Sequence, residues 1–357
     1  MKLLIKIIPY IFFIIIIVAI QKALTKYEVT YYLTQLTMSA YYAVLIVGLS
    51  LLMGYAGQIS LGHAGFFAIG GYCSAVLLTY NFMDFLNKKN SLIQFFYDKN
   101  FMQISADLYG GKILIFQPWP AFLIAVILAI IIAFLIGIPV LKLKGHYLAM
   151  ATLGFGTIIY TVILAGSVFG GADGISEVPP LHIYKELYIT GKSSLRVENY
   201  YIAFSVLLAG ILLLNNLINS RVGRALRALH GSEDAVGASG INSSSYKVIT
   251  FVISAVFAAA GGVLLTHYNG SIGPSESGIM KSVRYVSIVA VGGMSSIWGA
   301  AITAIILNYL SLRGLFGSYD DVIFGAILII VMIFAPGGIF SLKFKKKSKI
   351  EPAQANE

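Results

Sequence analysis

Apolar runs long enough to cross a bilayer recur along the whole of this chain, and they constrain its fold more than any other feature. A membrane-spanning helix needs about 17–25 predominantly apolar residues. Runs of that kind fall at residues 4–20, 38–56, 59–80, 119–141, 147–168, 200–219, 247–267, 284–312 and 321–340. Composition agrees. Hydrophobic residues are 58% of the 357, charged residues only 11%, and the mean hydropathy is +0.85, whereas soluble domains carry about 25% charged residues. The fold expected is an all-α, polytopic membrane bundle of about nine or ten crossings. Residues 1–357 form one transmembrane domain, with little chain left over for a soluble one.

Charge sets the orientation. The formal net charge of +10 could point to nucleic acid, but the cations cluster in short segments beside apolar runs, which fits membrane orientation and no nucleic-acid partner. The tail after residue 340 carries Lys343, Lys345, Lys346, Lys347 and Lys349, and the loop at 220–246 carries Arg221, Arg224, Arg227 and Lys247. Both read as cytoplasmic, as do the N-terminus and the turn at Lys142–Lys144. The loops at 81–118 and 169–199 mix signs, with Asp84, Asp98 and Asp107 in the first and Asp173, Glu177, Glu186 and Glu198 in the second, and read as external. The first run starts basic (Lys2, Lys6) like a signal peptide, but no small-x-small cleavage site precedes Gln21-Lys22, so it is taken as an uncleaved span. The single cysteine, Cys73, leaves the redox compartment unreadable.

These assignments raise a parity problem. From a cytoplasmic N-terminus, the span at 247–267 ends outside. A single crossing at 284–312 would then leave the lysine tail outside, against the positive-inside rule. That run is interrupted by GGMSSIWG, Gly292 to Gly299. Two short crossings meeting near this turn restore parity. Short, glycine-interrupted segments often build transporter sites. The 59–80 run has the same character, which suggests a weak internal duplication.

The densest motif is Gly54–Ser74, GYAGQISLGHAGFFAIGGYCS, with six glycines and almost no charge. Small residues let helix backbones approach closely in a bilayer, and irregular backbone at membrane depth survives only where protein or a cavity covers it. Helix packing explains most of these glycines. The polar residues Gln58, Ser60, His63 and Tyr72 are candidates for a translocation path, because a buried polar side chain costs several kcal/mol unless satisfied. For His63, a packed, hydrogen-bonded ring and a path-facing ring are both open. A metal site is not expected, since no other ligand lies nearby in sequence. Asp173, in FGGADGISEVPP, sits at the outer boundary as a further path candidate, although GxDG is also a common turn.

The 220–246 loop reads as a short amphipathic helix from Arg221 to Leu229, a polar turn, and a second helix through Glu233 to Ser239 that Gly240 stops. A cationic face on a compact, capped helix suggests docking to a cytoplasmic partner. No ATP chemistry is present. The nearest approach to a P-loop is Gly191-Lys192-Ser193, where Glu186 stands in place of the first glycine. HExxH, GxSxG and CxxC are also missing. ATP hydrolysis, if it drives transport, belongs to a separate subunit. An ion-coupled secondary transporter would need intramembrane carboxylates as relays, and the runs contain almost none, with Asp320 and Asp321 at an end. A membrane enzyme lacks a paired acid, base or nucleophile.

GYAGQISLGHAGFFAIGGY, FGGADGI, RVGRALRAL…SEDAVGASGIN…YK and VGGMSSIWG, in this order, resemble the LivM-like permease subunits of branched-chain amino-acid ABC importers. The resemblance covers residues 38–340, beyond an N-terminal span and linker at 1–37 and ahead of the basic tail at 341–357. It implies a multi-pass protein of the bacterial cytoplasmic (inner) membrane with both termini in the cytoplasm, no cofactor, and transport without catalysis. It implies four kinds of partner: a second related permease sharing the pore, two cytoplasmic ATP-binding subunits, an external solute-binding protein, and membrane lipid. Residues Arg224 to Asn242 match the family's ATPase-coupling loop, with Arg224, Arg227, Glu233, Ala235, Gly240 and Asn242 as its candidate residues. His230, Ala235-Val236 and Ala335-Pro336-Gly337-Gly338 depart from the usual pattern, and the loop at 81–118 has no counterpart. Urea and short-amide importers share the scaffold.

Overall fold

The computed structural model describes residues 2–106, 111–184, 186–335 and 337–341; Asp107 and the lysines of the tail lie outside the described residues. In chain order the elements are α1 (Lys2–Lys26), α2 (Tyr32–Tyr55), α3 (His63–Thr79), α4 (Met83–Asn87), α5 (Ser91–Asp98), β1 (Met102–Ala106), β2 (Lys112–Phe116), α6 (Pro118–Val140), α7 (His146–Ala165), β3 (Leu181–Tyr184), β4 (Leu187–Ile189), α8 (Arg196–Asn219), α9 (Arg221–Gly231), α10 (Glu233–Ala238), α11 (Ser243–Asn269), α12 (Ile279–Gly292), α13 (Ile297–Leu312) and α14 (Asp320–Phe334). Among the described residues, six helices (α1, α2, α6, α7, α8 and α11) are long and apolar enough to cross a membrane, and α3 and α13 are shorter apolar helices. With α12 and α14 they form an all-α, multi-pass bundle. The strands are confined to two small antiparallel hairpins, β1–β2 and β3–β4.

Helices α2 and α11 are the centre of the bundle. Their apolar windows are 89% and 72% buried, against 11% for α1 and 28% for α6 and α7. Small residues let the central helices touch. A Cβ on Gly70 would collide with the backbone of Ala259, and one on Gly262 with the backbone of Phe67, so α3 and α11 meet backbone to backbone. Helix α6 shows how a lipid-facing helix inverts the soluble pattern. Ala121, Ala125, Ala129, Ala133 and Gly137 recur every fourth residue on its buried face, while Leu123, Ile127, Ile131, Leu135 and Ile138 point outward.

The run at 284–312 is broken, as parity required. Helix α12 stops at Gly292, Gly293 adopts φ +98°, and the Ser296 hydroxyl accepts a 3.0 Å bond from the Gly299 amide to start α13. Contacts then sort the loops into two ends. At one end Gly54 meets Met294, Gly57 meets His230, and Gly338 meets Gly293. The arginine-rich loop and the α12–α13 break therefore share a side. At the other, Ile175 bridges Ile272, Trp119 donates to the His182 carbonyl, and Arg196 reaches Thr30.

Two sequence expectations need correction. The 59–80 run is not helical from its start: residues 56–62 are irregular and α3 begins at His63, because Gly57 (φ +67°) turns the chain out of α2. The 81–118 segment is not an open loop. Helices α4 and α5 and the β1–β2 hairpin fold onto the end of α3, where Met102, Leu114 and Phe116 join Ala75 and Leu78 in one buried cluster.

Candidate functional site

The irregular link between α2 and α3 holds two of the five path candidates, Gln58 and Ser60, and leads directly into a third, His63, at the start of α3. The Gln58 amide bonds back to the Leu52 carbonyl at 3.2 Å, and Thr152 of α7 takes the Leu61 N–H at 3.0 Å. Gln58 is 3% exposed, yet neither polar atom of its side chain has a partner among the described residues. It lines a cavity of about 150 Å³ with Lys144, His230, Glu233 and Lys247, a polar space of the kind that water occupies.

His63 and Ser60 are committed to the protein. His63 is 1% exposed, its Nδ1 is 2.9 Å from Ser60 Oγ, and its Nε2 is 2.8 Å from Ser254 Oγ. Ser254 gives its own proton to the Phe251 carbonyl. It therefore accepts from Nε2–H, and Nδ1 accepts from Ser60. A neutral imidazole with its proton on Nε2 satisfies every partner. The ring lies edge-on between Phe66 and Phe251. A second such tie, not anticipated from sequence, stands farther along the same helix pair: His267 contacts Ser74 Oγ at 3.1 Å and the Pro179 carbonyl at 2.8 Å. His63→Leu should remove both ends of the first tie at a cost of about 1–3 kcal/mol. Thermal melting of the purified protein should fall accordingly, and an unchanged melting point would refute the assignment.

Asp173 is exposed in the turn that Gly170 and Gly174 close, away from the buried polar groups. Tyr72 is 1% exposed and its hydroxyl is unpartnered among the described residues. Helix α3, which carries it, packs against the turn Pro274–Ser277 and α12, and these hold two charged residues that were not among the sequence candidates. Glu276, in the short turn Pro274–Ser277, accepts from the Tyr42 hydroxyl at 3.0 Å and pairs with Lys281 at 3.0 Å.

The 220–246 loop is built on two short helices, α9 and α10. Ser220 caps α9 and Ser232 caps α10. Arg227 caps the end of α8 through the Ile218 carbonyl at 3.2 Å. Gly240 has φ +78°, and the bonds Gly240 N–H to Gly237 and Ile241 N–H to Val236 close a Schellman motif. Asn242 caps α11 by accepting from Ser245. Arg224 and Ala235 are exposed. Glu233, a candidate coupling residue, has a partner within the chain. It pairs with Lys247 of α11 at 2.5 Å, which ties α10 to a central helix.

The pattern that defines the family described as "Branched-chain amino acid transport system / permease component" matches residues 31–332. The chain belongs to this permease family. The permease is 28% identical over 326 residues to the high-affinity branched-chain amino acid transport permease LivM of Escherichia coli, covering 86% of the chain and 69% of that protein. It is 28% identical over 328 residues to LivH of Salmonella typhimurium, covering 87% and 95%. A probable LivM of Methanocaldococcus jannaschii is 24% identical over 335 residues, covering 85% and 91%. No solved structure matches. The matched stretch begins at the residue before α2 and ends two short of the last residue of α14, so α1 lies outside it.

Proposed function

We propose that the permease is one half of the translocation pore of an ATP-driven importer for branched-chain or related neutral amino acids. The family match across residues 31–332 carries this reading. The second half is a related permease, which accords with similarity to both LivM and LivH proteins. Two ATP-binding subunits seat against α9 and α10, whose exposed Arg221, Arg224 and Ala235 face away from the bundle. A solute-binding protein delivers the amino acid at the opposite end. The membrane is the cytoplasmic one, with both termini in the cytoplasm.

Coexpression with a second permease, two ATPases and a binding protein tests the reading. Leucine uptake should be blocked by vanadate and survive a protonophore. Uptake that collapses with the proton gradient would mean an ion-coupled carrier. Uptake of urea in place of leucine would move the chain to the short-amide importers. A cysteine in place of Ser232 should react with a membrane-impermeant thiol reagent only from the cytoplasmic side; labelling in sealed cells would reverse the orientation.

A further inference from the structure

We infer that Glu276 and Lys281, with the hydroxyls of Tyr42, Tyr72 and Tyr285, form a station in the transport path for the zwitterionic head of a neutral α-amino acid. This deepens the importer reading and rests on it. The pair lies well inside the bundle. Tyr42, which donates to Glu276, is ten residues into α2, about 15 Å from that helix's end at 1.5 Å per residue. It stacks on Phe67 at 5.5 Å, in the first half of α3. The turn before α12 and the first turn of α12 therefore carry a carboxylate and an ammonium down from the surface. Ionised groups at such depth are costly and mark solute or ion paths.

Both charges keep free bonding capacity. Lys281 spends two of its three N–H donors, on Glu276 at 3.0 Å and on Tyr42 at 3.3 Å. Glu276 Oε2 accepts one bond, from Tyr42 at 3.1 Å, where a carboxylate oxygen accepts two. Neither side chain is sealed, with relative exposures of 26% and 19%. Two hydroxyls wait beside them. Tyr72 and Tyr285 are both buried and neither has a hydrogen-bond partner among the described residues; the Tyr285 ring lies 6.2 Å from that of Tyr42, and α3, which carries Tyr72, packs on the turn that holds Glu276. Unpartnered buried hydroxyls are rare unless a ligand or water completes them.

The chemistry selects its ligand. An opposed carboxylate and ammonium complement the ammonium and carboxylate of an α-amino acid, and the ensemble stays neutral. A solute with a net charge would leave one charge uncompensated where the dielectric is low. Urea or an amide offers no charges to exchange with the pair. Ile279, Met280 and Val283, all exposed on α12, flank the station with apolar surface that suits a branched side chain.

The test uses the assembled transporter in proteoliposomes, with L-leucine as substrate. Glu276→Gln and Lys281→Met should each lower uptake about tenfold or more, the scale of one lost charged hydrogen bond, with subunit stoichiometry unchanged. The exchanged pair, Glu276→Lys with Lys281→Glu, restores the ion pair. If the pair only braces α12, this double variant should transport normally, and that outcome overturns the station; continued loss supports it. A second readout places a cysteine at Met280 in a Cys73→Ser background. Leucine should slow its alkylation, whereas 4-methylpentanoate (no ammonium) and leucinamide (no carboxylate) should not, and Glu276→Gln should abolish the protection. Equal protection by all three compounds, or none by leucine, refutes the station. If the unmodified complex takes up no leucine at all, the importer reading fails first and the station falls with it. Normal leucine uptake by the single variants refutes the station alone.

Discussion

Gly54→Val should remove most of the permease from the membrane. A Cβ at residue 54 would stand 1.7 Å from the carbonyl oxygen of Met294 and 2.9 Å from the Ser295 amide. The obstacle is backbone, which has no rotamer to move into. That backbone is also held from both sides: Tyr55 donates to the Ser295 carbonyl at 2.7 Å, and Ser295 Oγ donates back to the Gly54 carbonyl at 3.3 Å. Valine must therefore separate the end of α2 from the α12–α13 break. Overpacking costs about 1–3 kcal/mol even where side chains can shift, and the loss here should reach or exceed the upper figure. The measurement is the amount of folded protein in membranes by fluorescence-detected size exclusion. Gly154→Ala, at a position with nothing within 4 Å of a new Cβ, serves as the tolerated control. Normal accumulation of Gly54→Val would mean that the tight α2 contact is not needed for folding.

Glu233→Lys should abolish coupled transport while leaving the protein in the membrane. The substitution sets a second ammonium against Lys247, a residue only 8% exposed. Removing one member of a buried pair costs about 3–5 kcal/mol. Glu233 is 29% exposed, so water relieves part of that. The strain falls on α10, which the ion pair holds down, and the bundle is spared. On the importer reading, copurifying ATPase and leucine uptake should fall together, by about tenfold or more. The double variant Glu233→Lys, Lys247→Glu restores opposite charges and should recover much of both. If the single variant binds the ATPase and transports normally, the loop is only a solvated connector. If the double variant fails to recover, Glu233 meets the ATPase directly and not through its hold on α10.

Local signals were legible. The break in 284–312 followed from glycines and a charge-parity argument, and the structure breaks the helix at Gly292–Gly293. The stop at Gly240 followed from composition, because only glycine takes φ +78° without strain. Asn242 and Ser232, whose capping was not anticipated from sequence, cap α11 and α10 with side chains of the usual type. Each of these depends on a few neighbouring residues and on the backbone they permit. Glu276 was not legible as a site. It lies outside every apolar run and reads as an exposed loop residue, since nothing nearby in sequence says that its turn sinks beside Tyr42, 234 residues away. His63 and Glu233 were legible as candidates but their partners were not: Ser254 is 191 residues from His63, and Lys247 lies on the next long helix from Glu233.

The sequence by itself determined that the chain crosses the membrane many times, that the 284–312 run breaks near Gly292–Gly299 and that a helix stops at Gly240. Only the tertiary structure decided which helices are central. Helix α1 is more apolar than α2, yet only 11% of its apolar stretch is buried against 89%. In water, hydropathy separates core from surface because the two differ in polarity. In a bilayer the lipid is as apolar as the protein interior, so hydropathy reports only that a helix belongs in the membrane. Whether it faces lipid or protein is set by how closely backbones can approach. Glycine and alanine at 54, 70, 259 and 262 decide that jointly, across segments that lie far apart in the chain.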